Sequence, residues 1–292
     1  MSSNLIDEKK PRTVALVTLG CARNETDSEE LAGRLAADGW QLVSDPANAE
    51  IAVINTCGFI ESAKKDSIDA LIQAHSLKSN GVTKAVVAVG CMAERYGNEL
   101  AEEMSETDAI LSFDDYKDIS NRLNTILDGG KITPHTPKDR RSLLPIAPVD
   151  RAQVREERKL VEVNPIGSVL RKRLDNAPIA PLKIASGCDR RCSFCAIPLM
   201  RGGHVSKTLE DLVKEAEYLA KNGTKELILI AQDLTYYGLD LYKERRLSEL
   251  MTKLSEVEGI EWIRIHYAFP TAFPEDVLEV FRTNPRVCTY MD

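Results

Sequence analysis

Short apolar runs alternate with amphipathic stretches along most of this chain. Residues 14–19, 51–54 and 85–89 are almost wholly apolar, the pattern of strands buried on both faces of a parallel sheet. Between them, 27–36 repeats apolar residues at helical spacing with acidic residues in its first turn, and 63–77 does so with apolar residues at 68, 71 and 72. Helices are also predicted near 97–104 and 116–127. The alternation defines an α/β fold, with a doubly wound parallel-sheet domain over 12–130.

Residues 131–180 interrupt the pattern. They are rich in proline and charge and read as a linker. The locally basic stretch 151–173 reads as a solvated charge run. From 181 the alternation resumes: strand 182–185, helix 209–221 closed by Asn222 and Gly223, strand 226–231, helix 247–256, strand 262–267, helix 274–282, and the start of a strand at 287–291.

The chain has 292 residues, enough for two domains, with 43% hydrophobic and 28% charged residues. A net charge of −7 argues against a general nucleic-acid binder. No apolar run approaches the roughly 18 residues that span a bilayer. The polar start lacks an export segment, which places the protein in the cytoplasm. Seven cysteines in a reducing compartment point to metal binding rather than disulfides.

Six of those cysteines form two sets. Cys188, Cys192 and Cys195 lie in SGCDRRCSFCAIP, residues 186–198. Three thiolates this close can hold three irons of a four-iron four-sulfur cluster and leave the fourth iron open for chemistry. Gly187 lets the loop turn tightly. A zinc site is the competing reading and needs a fourth ligand; His204 is the nearest, at a spacing that fits no finger pattern. The other set is dispersed. Cys21, Cys57 and Cys91 each follow a predicted parallel strand, beside Gly20, Gly58 and Gly90. The carboxyl ends of parallel strands share one sheet edge, where ligands bind, so these three thiols can converge. Three buried structural thiols are the alternative.

Two such triads in one chain resemble the methylthiotransferase branch of the radical S-adenosylmethionine (SAM) superfamily. The resemblance covers about residues 12–292 and implies a partial radical SAM (β/α) barrel over 181–292. It implies two 4Fe-4S clusters, one on each triad, and SAM as cofactor. Phe194 takes the position near the SAM adenine, and Gln232, at the end of the second barrel strand, is a candidate contact to SAM or substrate. The implied reaction is radical chemistry started by reductive cleavage of SAM, with sulfur delivered from the second cluster. No acid–base pair is required, so no catalytic side chain is nominated. His266 and Cys288 are assigned to the core or a strand end.

Three segments, TLGCARNETDSE (18–29), NTCGFIESAK (55–64) and IAQDLTYYGLDLY (230–242), resemble the protein-modifying class, which acts on an aspartate of small-subunit ribosomal protein twelve. The implied partners are that protein or the small ribosomal subunit, and an electron donor, with no membrane and no strong nucleic-acid binding. The tRNA-adenosine class and a non-catalytic iron–sulfur protein are the alternatives. The segment 201–207 is less basic than in many relatives, and Arg201 is open between a surface charge and a functional one. Relatives of this family have six strand–helix units and a terminal β-domain. The chain is therefore expected to be incomplete, and poorly soluble or inactive alone, because a half-barrel leaves a strand edge unpaired.

Overall fold

A computed structural model describes residues 10–79, 81–138, 171–190, 192–271 and 273–291. The middle of the expected linker, including all but the last three residues of the basic stretch 151–173, lies outside them.

The first unit is a five-stranded sheet in the order β2-β1-β3-β4-β5, with every pair parallel. Its strands are β1 (Thr13–Thr18), β2 (Gln41–Leu42), β3 (Ile51–Thr56), β4 (Ala85–Gly90) and β5 (Ala109–Ile110). The helices are α1 (Ala22–Ala37), α2 (Glu61–Ser76), α3 (Cys91–Glu103) and α4 (Ile119–Leu127). Strand alternation divides the core. Ile51 and Val53 of β3 pack with Leu31, Leu35 and Leu123 on one face, while Ala52 and Ile54 pack with Leu71 and Leu100 on the other. Each fully buried aliphatic side chain in these layers contributes roughly 1.5–3 kcal/mol. Both faces are covered by helices, which is why β4 and the Ile51–Ile54 part of β3 are apolar rather than alternating.

The second unit has three parallel strands in the order β10-β9-β6: β6 (Ile179–Lys183), β9 (Glu226–Ile230) and β10 (Trp262–Ile265). A short antiparallel pair, β7 (Ala185–Ser186) and β8 (Val205–Ser206), brackets the close cysteine triad. The helices are α5 (Ile197–Arg201), α6 (Leu209–Lys221), α7 (Leu239–Tyr242), α8 (Leu247–Ser255) and α9 (Asp276–Thr283). Leu182, Leu227, Leu229, Ile263 and Ile265 join Leu212, Leu219, Leu250 and Leu254 in one core. Strand, crossover helix and parallel strand repeat here as in a β/α barrel, giving the expected partial barrel.

Four expectations change. α1 begins at Ala22 rather than 27, because the N–H groups of Asn24 and Glu25 donate to the Cys21 carbonyl. Asp27, Glu29 and Glu30 therefore lie past the first turn. α3 runs back to Cys91 and breaks at Tyr96 (φ −127°, ψ 22°). Of the three expected apolar positions in α2, Leu71 is buried, together with Ala74, while Ile68 and Ile72 face outward. Residues 287–291 form no strand; Val287 makes a single parallel bridge to Ile263.

Candidate functional site: two thiol triads at one interface

The strands β1, β3 and β4 are neighbours in the sheet, and all three point the same way. Cys21 therefore leaves β1, Cys57 leaves β3 and Cys91 leaves β4 along one carboxyl edge, as the sequence predicts. Polar side chains fix the three loops to each other. Asn24 Nδ2 donates to the carbonyls of Leu19 (2.7 Å) and Thr56 (3.2 Å), tying the first loop to the second. Asn55 Nδ2 donates back to the Asn24 carbonyl (2.9 Å) and to Ser28 Oγ (2.9 Å). The Cys57 N–H donates to Ser67 Oγ (2.9 Å), and that hydroxyl reaches the Cys57 carbonyl (3.1 Å). Thr56 Oγ1 donates to the Val89 carbonyl (2.5 Å), joining the second loop to the third. Gly20 has φ +96°, and a Cβ there would lie 3.0 Å from Cys57 Sγ. Cys91 Sγ is 3.8 Å from Asn24 Oδ1.

The close triad sits in the loop between β7 and β8. Gly187 (φ +77°) packs so tightly that a Cβ would stand 2.0 Å from the Gly203 carbonyl oxygen. The Cys188 N–H donates to the Gly202 carbonyl (3.1 Å), and the Cys195 N–H to the Cys192 carbonyl (3.2 Å). Cys188 Sγ accepts from the Arg190 N–H at 3.4 Å. Burial pushes the Cys188 thiol up to about 11, against that hydrogen bond. Arg190 is itself held by Asp233 (2.7 Å) and lies over the rings of Tyr236 and Phe269.

Phe194 is 87% exposed beside Cys195, with no ring partner among the described residues. Gln232 follows β9, and both its amide oxygen and its amide nitrogen are buried without a hydrogen-bond partner among the described residues. A buried amide with neither group satisfied costs about 1–3 kcal/mol per group. His204 is fully buried, with Nε2 3.2 Å from Ser206 Oγ. Among the described residues, no three His, Cys, Asp or Glu side chains are grouped tightly enough to share one metal ion. Zinc demands such a group, with ligand sulfurs about 2.3 Å from a common centre. The thiols of a four-iron cluster each bind a different iron. His266 is half-buried against Tyr267 and Tyr290, and Cys288 is buried.

The two triads share an interface. Cys91 shares a buried cluster with Ala196, which follows Cys195, and Met200, four residues further on. Arg23, two residues after Cys21, donates to the Ala231 carbonyl (2.7 Å) next to Gln232 and lies over Tyr267. Arg201 is buried, with a side chain 4% exposed, and is no surface charge. Its Nη2 lies 2.8 Å from Asp27 Oδ2, 3.0 Å from Asn24 Oδ1 and 3.3 Å from Cys91 Sγ. Around it, α1 presents acids and the second unit presents bases. Lys183 reaches Asp27 (2.6 Å) and Glu30 (2.9 Å), and Lys207 reaches Glu30 (3.3 Å) and Glu215 (3.0 Å). Arg171 lies 3.4 Å from Glu29, and Arg173 3.0 Å from it.

Burial alone would raise the Asp27 carboxyl; Arg201 and Lys183 outweigh it and hold it below the ordinary range. Burial likewise opposes Glu30, yet Lys183 and Lys207 bring it down to about 2. Burial wins at Glu29, which is raised despite Arg171 and Arg173. Burial also raises the Cys91 thiol, with Arg201 pulling the other way.

A parallel-sheet unit with a cysteine after each of three strands, joined to a β/α unit with three cysteines in one loop, has the make-up of the radical SAM class. Residues 182–291 match the radical SAM superfamily, and residues 13–112 match a family described as uncharacterized protein family UPF0004. The chain is 53% identical to "Ribosomal protein uS12 methylthiotransferase RimO" of Streptomyces griseus, over 96% of this chain and 60% of the relative. The protein of the same name from Cutibacterium acnes is 51% identical, over 96% of this chain and 61% of the relative. The chain thus spans about 60% of the length of these curated relatives. In fold it is similar to the radical SAM methyltransferase TsrM of Kitasatospora setae (TM-score 0.58, 13% identity, 93% of this chain and 59% of that one). It is also similar in fold to the cobalamin-dependent SAM radical enzyme OxsB (TM-score 0.52, 13% identity, 94% and 42%). By these matches the chain resembles the radical SAM methylthiotransferases.

Proposed function

We propose that this chain carries the two iron–sulfur sites of a methylthiotransferase that modifies the β-carbon of an aspartate in small-subunit ribosomal protein twelve. The observation that carries the reading is one buried cluster joining Cys91, of the dispersed triad, to Ala196 and Met200 in the segment that follows Cys195. The name shared by the relatives supplies the substrate.

In this reading Cys188, Cys192 and Cys195 hold a 4Fe-4S cluster whose open iron takes SAM. Cys21, Cys57 and Cys91 hold a second cluster. The first cluster with SAM would supply reductive cleavage and hydrogen abstraction from the target carbon, and the second the sulfur. The residues of the chain bind, orient and enclose. The partnerless amide of Gln232 supports a polar ligand contact at the end of β9, and its neighbour Ala231 is tied by Arg23 to the helix that follows Cys21. Phe194, exposed beside Cys195, is free to cover the adenine. The tight seat of Gly187 supports a cradle shaped for an inorganic group rather than for side-chain packing. The Asp27–Lys183–Arg201 cluster fixes the two triads relative to each other, which is the positioning a two-centre reaction needs.

The proposed extents are 12–130 for the first domain, 131–180 for the linker and 181–292 for the barrel portion, supported by the two family matches. An electron donor and a cytoplasmic setting belong to the same reading, as does the absence of strong nucleic-acid binding. Among the described residues no helix is long and apolar enough to cross a membrane. The test is the mass of ribosomal protein twelve from cells with and without the gene, alongside a tRNA nucleoside profile. A methylthio group that disappears from the protein supports the reading; one that disappears only from tRNA adenosine overturns it.

A further inference from the structure

The structure assigns to Arg201 a positioning role at the dispersed triad: its guanidinium donates an N–H to the Cys91 sulfur and thereby sets the reduction potential of the group held there. The inference rests on the proposed second cluster. Nη2 of Arg201 faces three acceptors, Asp27 Oδ2, Asn24 Oδ1 and Cys91 Sγ, at 2.8, 3.0 and 3.3 Å. Two N–H bonds serve three acceptors, so one hydrogen is shared.

The side chain has little freedom to leave. It is 4% exposed, and its carbon centre lies 4.6 Å over the Phe113 ring. Asp27, its anchor, is held from the other side by Lys183 at 2.6 Å. A fixed cation donating to a thiolate in a dry interface stabilises negative charge on that sulfur. Hydrogen bonds to cluster sulfurs and local charge are among the factors that set cluster potentials. A reduced cluster carries one more negative charge than an oxidised one, so Arg201 raises the potential.

Arg201, six residues after Cys195, also closes α5, the helix that leaves the close triad. The donor to one triad is therefore supplied by the segment that carries the other. Undocking of the two units would withdraw the N–H from Cys91, so the potential of the second site depends on assembly of the first.

The experiment uses protein reconstituted anaerobically with iron and sulfide, in a Cys188→Ala, Cys192→Ala, Cys195→Ala background so that one cluster reports. Midpoint potentials are read by electron paramagnetic resonance for the parent, Arg201→Met, Arg201→Lys and Lys183→Met. The midpoint should fall in Arg201→Met, recover in part in Arg201→Lys, and fall less in Lys183→Met, which removes a nearby charge and an Asp27 contact but no donor to the sulfur. Loss of iron in Arg201→Met but not in Lys183→Met would also assign the guanidinium to the site. An unchanged midpoint in Arg201→Met with iron retained overturns the inference. So does an equal effect in Lys183→Met, on potential or on iron. A parent that binds no iron sinks the reading of the triad itself, and the inference with it.

Discussion

Asp27 of α1 and Lys183 of β6 meet at 2.6 Å although 156 residues separate them, and both side chains are nearly closed to solvent. A charge pair in that setting is costly to break from one side, because the surviving partner stays buried. Asp27→Asn should destabilise the protein by about 3–5 kcal/mol in urea unfolding. The double change Asp27→Leu, Lys183→Met should cost less than the sum of its single changes. Additive effects would show that the pair is not coupled.

Glu30 gives this interface a pH dependence of known sign. Its carboxyl falls to about 2 in the folded protein from an ordinary 4.5. A depressed carboxyl contributes stability that is complete above 4.5 and is lost as the pH falls toward 2. The full contribution is on the order of 3 kcal/mol. The stability difference between the wild type and Glu30→Gln should be flat above about pH 5 and shrink below it. Glu29 works in the opposite direction, since its raised carboxyl favours the fold at low pH and loses that contribution as pH rises. A difference that grows on acidification would contradict the assignment to Lys183 and Lys207.

Gly187→Ala should abolish the close site alone. The added Cβ would meet the Gly203 carbonyl at 2.0 Å, in a backbone conformation at φ +77° that alanine adopts poorly. After anaerobic reconstitution the variant should hold about half the wild-type iron. Wild-type iron content would show that the loop tolerates the change.

Gln232→Leu separates a ligand contact from a structural one. Its amide makes no hydrogen bond among the described residues, so removing it should leave the stability of the ligand-free protein unchanged or raise it by about 1–3 kcal/mol. SAM binding by equilibrium dialysis should weaken roughly tenfold, the equivalent of about one hydrogen bond. Unchanged SAM affinity would remove Gln232 from the site.

The placement of Cys21, Cys57 and Cys91 was legible because strand ends are written in apolar runs, whereas Cys188, Cys192 and Cys195 are read from their spacing. Once 14–19, 51–54 and 85–89 read as parallel strands, the shared edge for Cys21, Cys57 and Cys91 followed from topology. The interface was not legible. Asp27, Glu29 and Glu30 look like acids favouring a helix N-terminus, and only the start at Ala22 moves them to a buried face. Lys183 was the available signal, since a lysine inside the apolar run 179–185 needs a partner when both faces are covered. Arg201 has no such mark, because its neighbours are two glycines and a histidine, and its burial arises from long-range packing. The two-residue strands β2, β5, β7 and β8 are too short for any period to be read.

Iron counting with Mössbauer spectroscopy on the anaerobically reconstituted protein distinguishes two clusters from one. About eight irons per chain are expected, falling to about four when Cys21, Cys57 and Cys91 are replaced by alanine, and to about four when Cys188, Cys192 and Cys195 are replaced instead. A wild-type count near four, or loss of all iron on replacing either set, would contradict two independent sites.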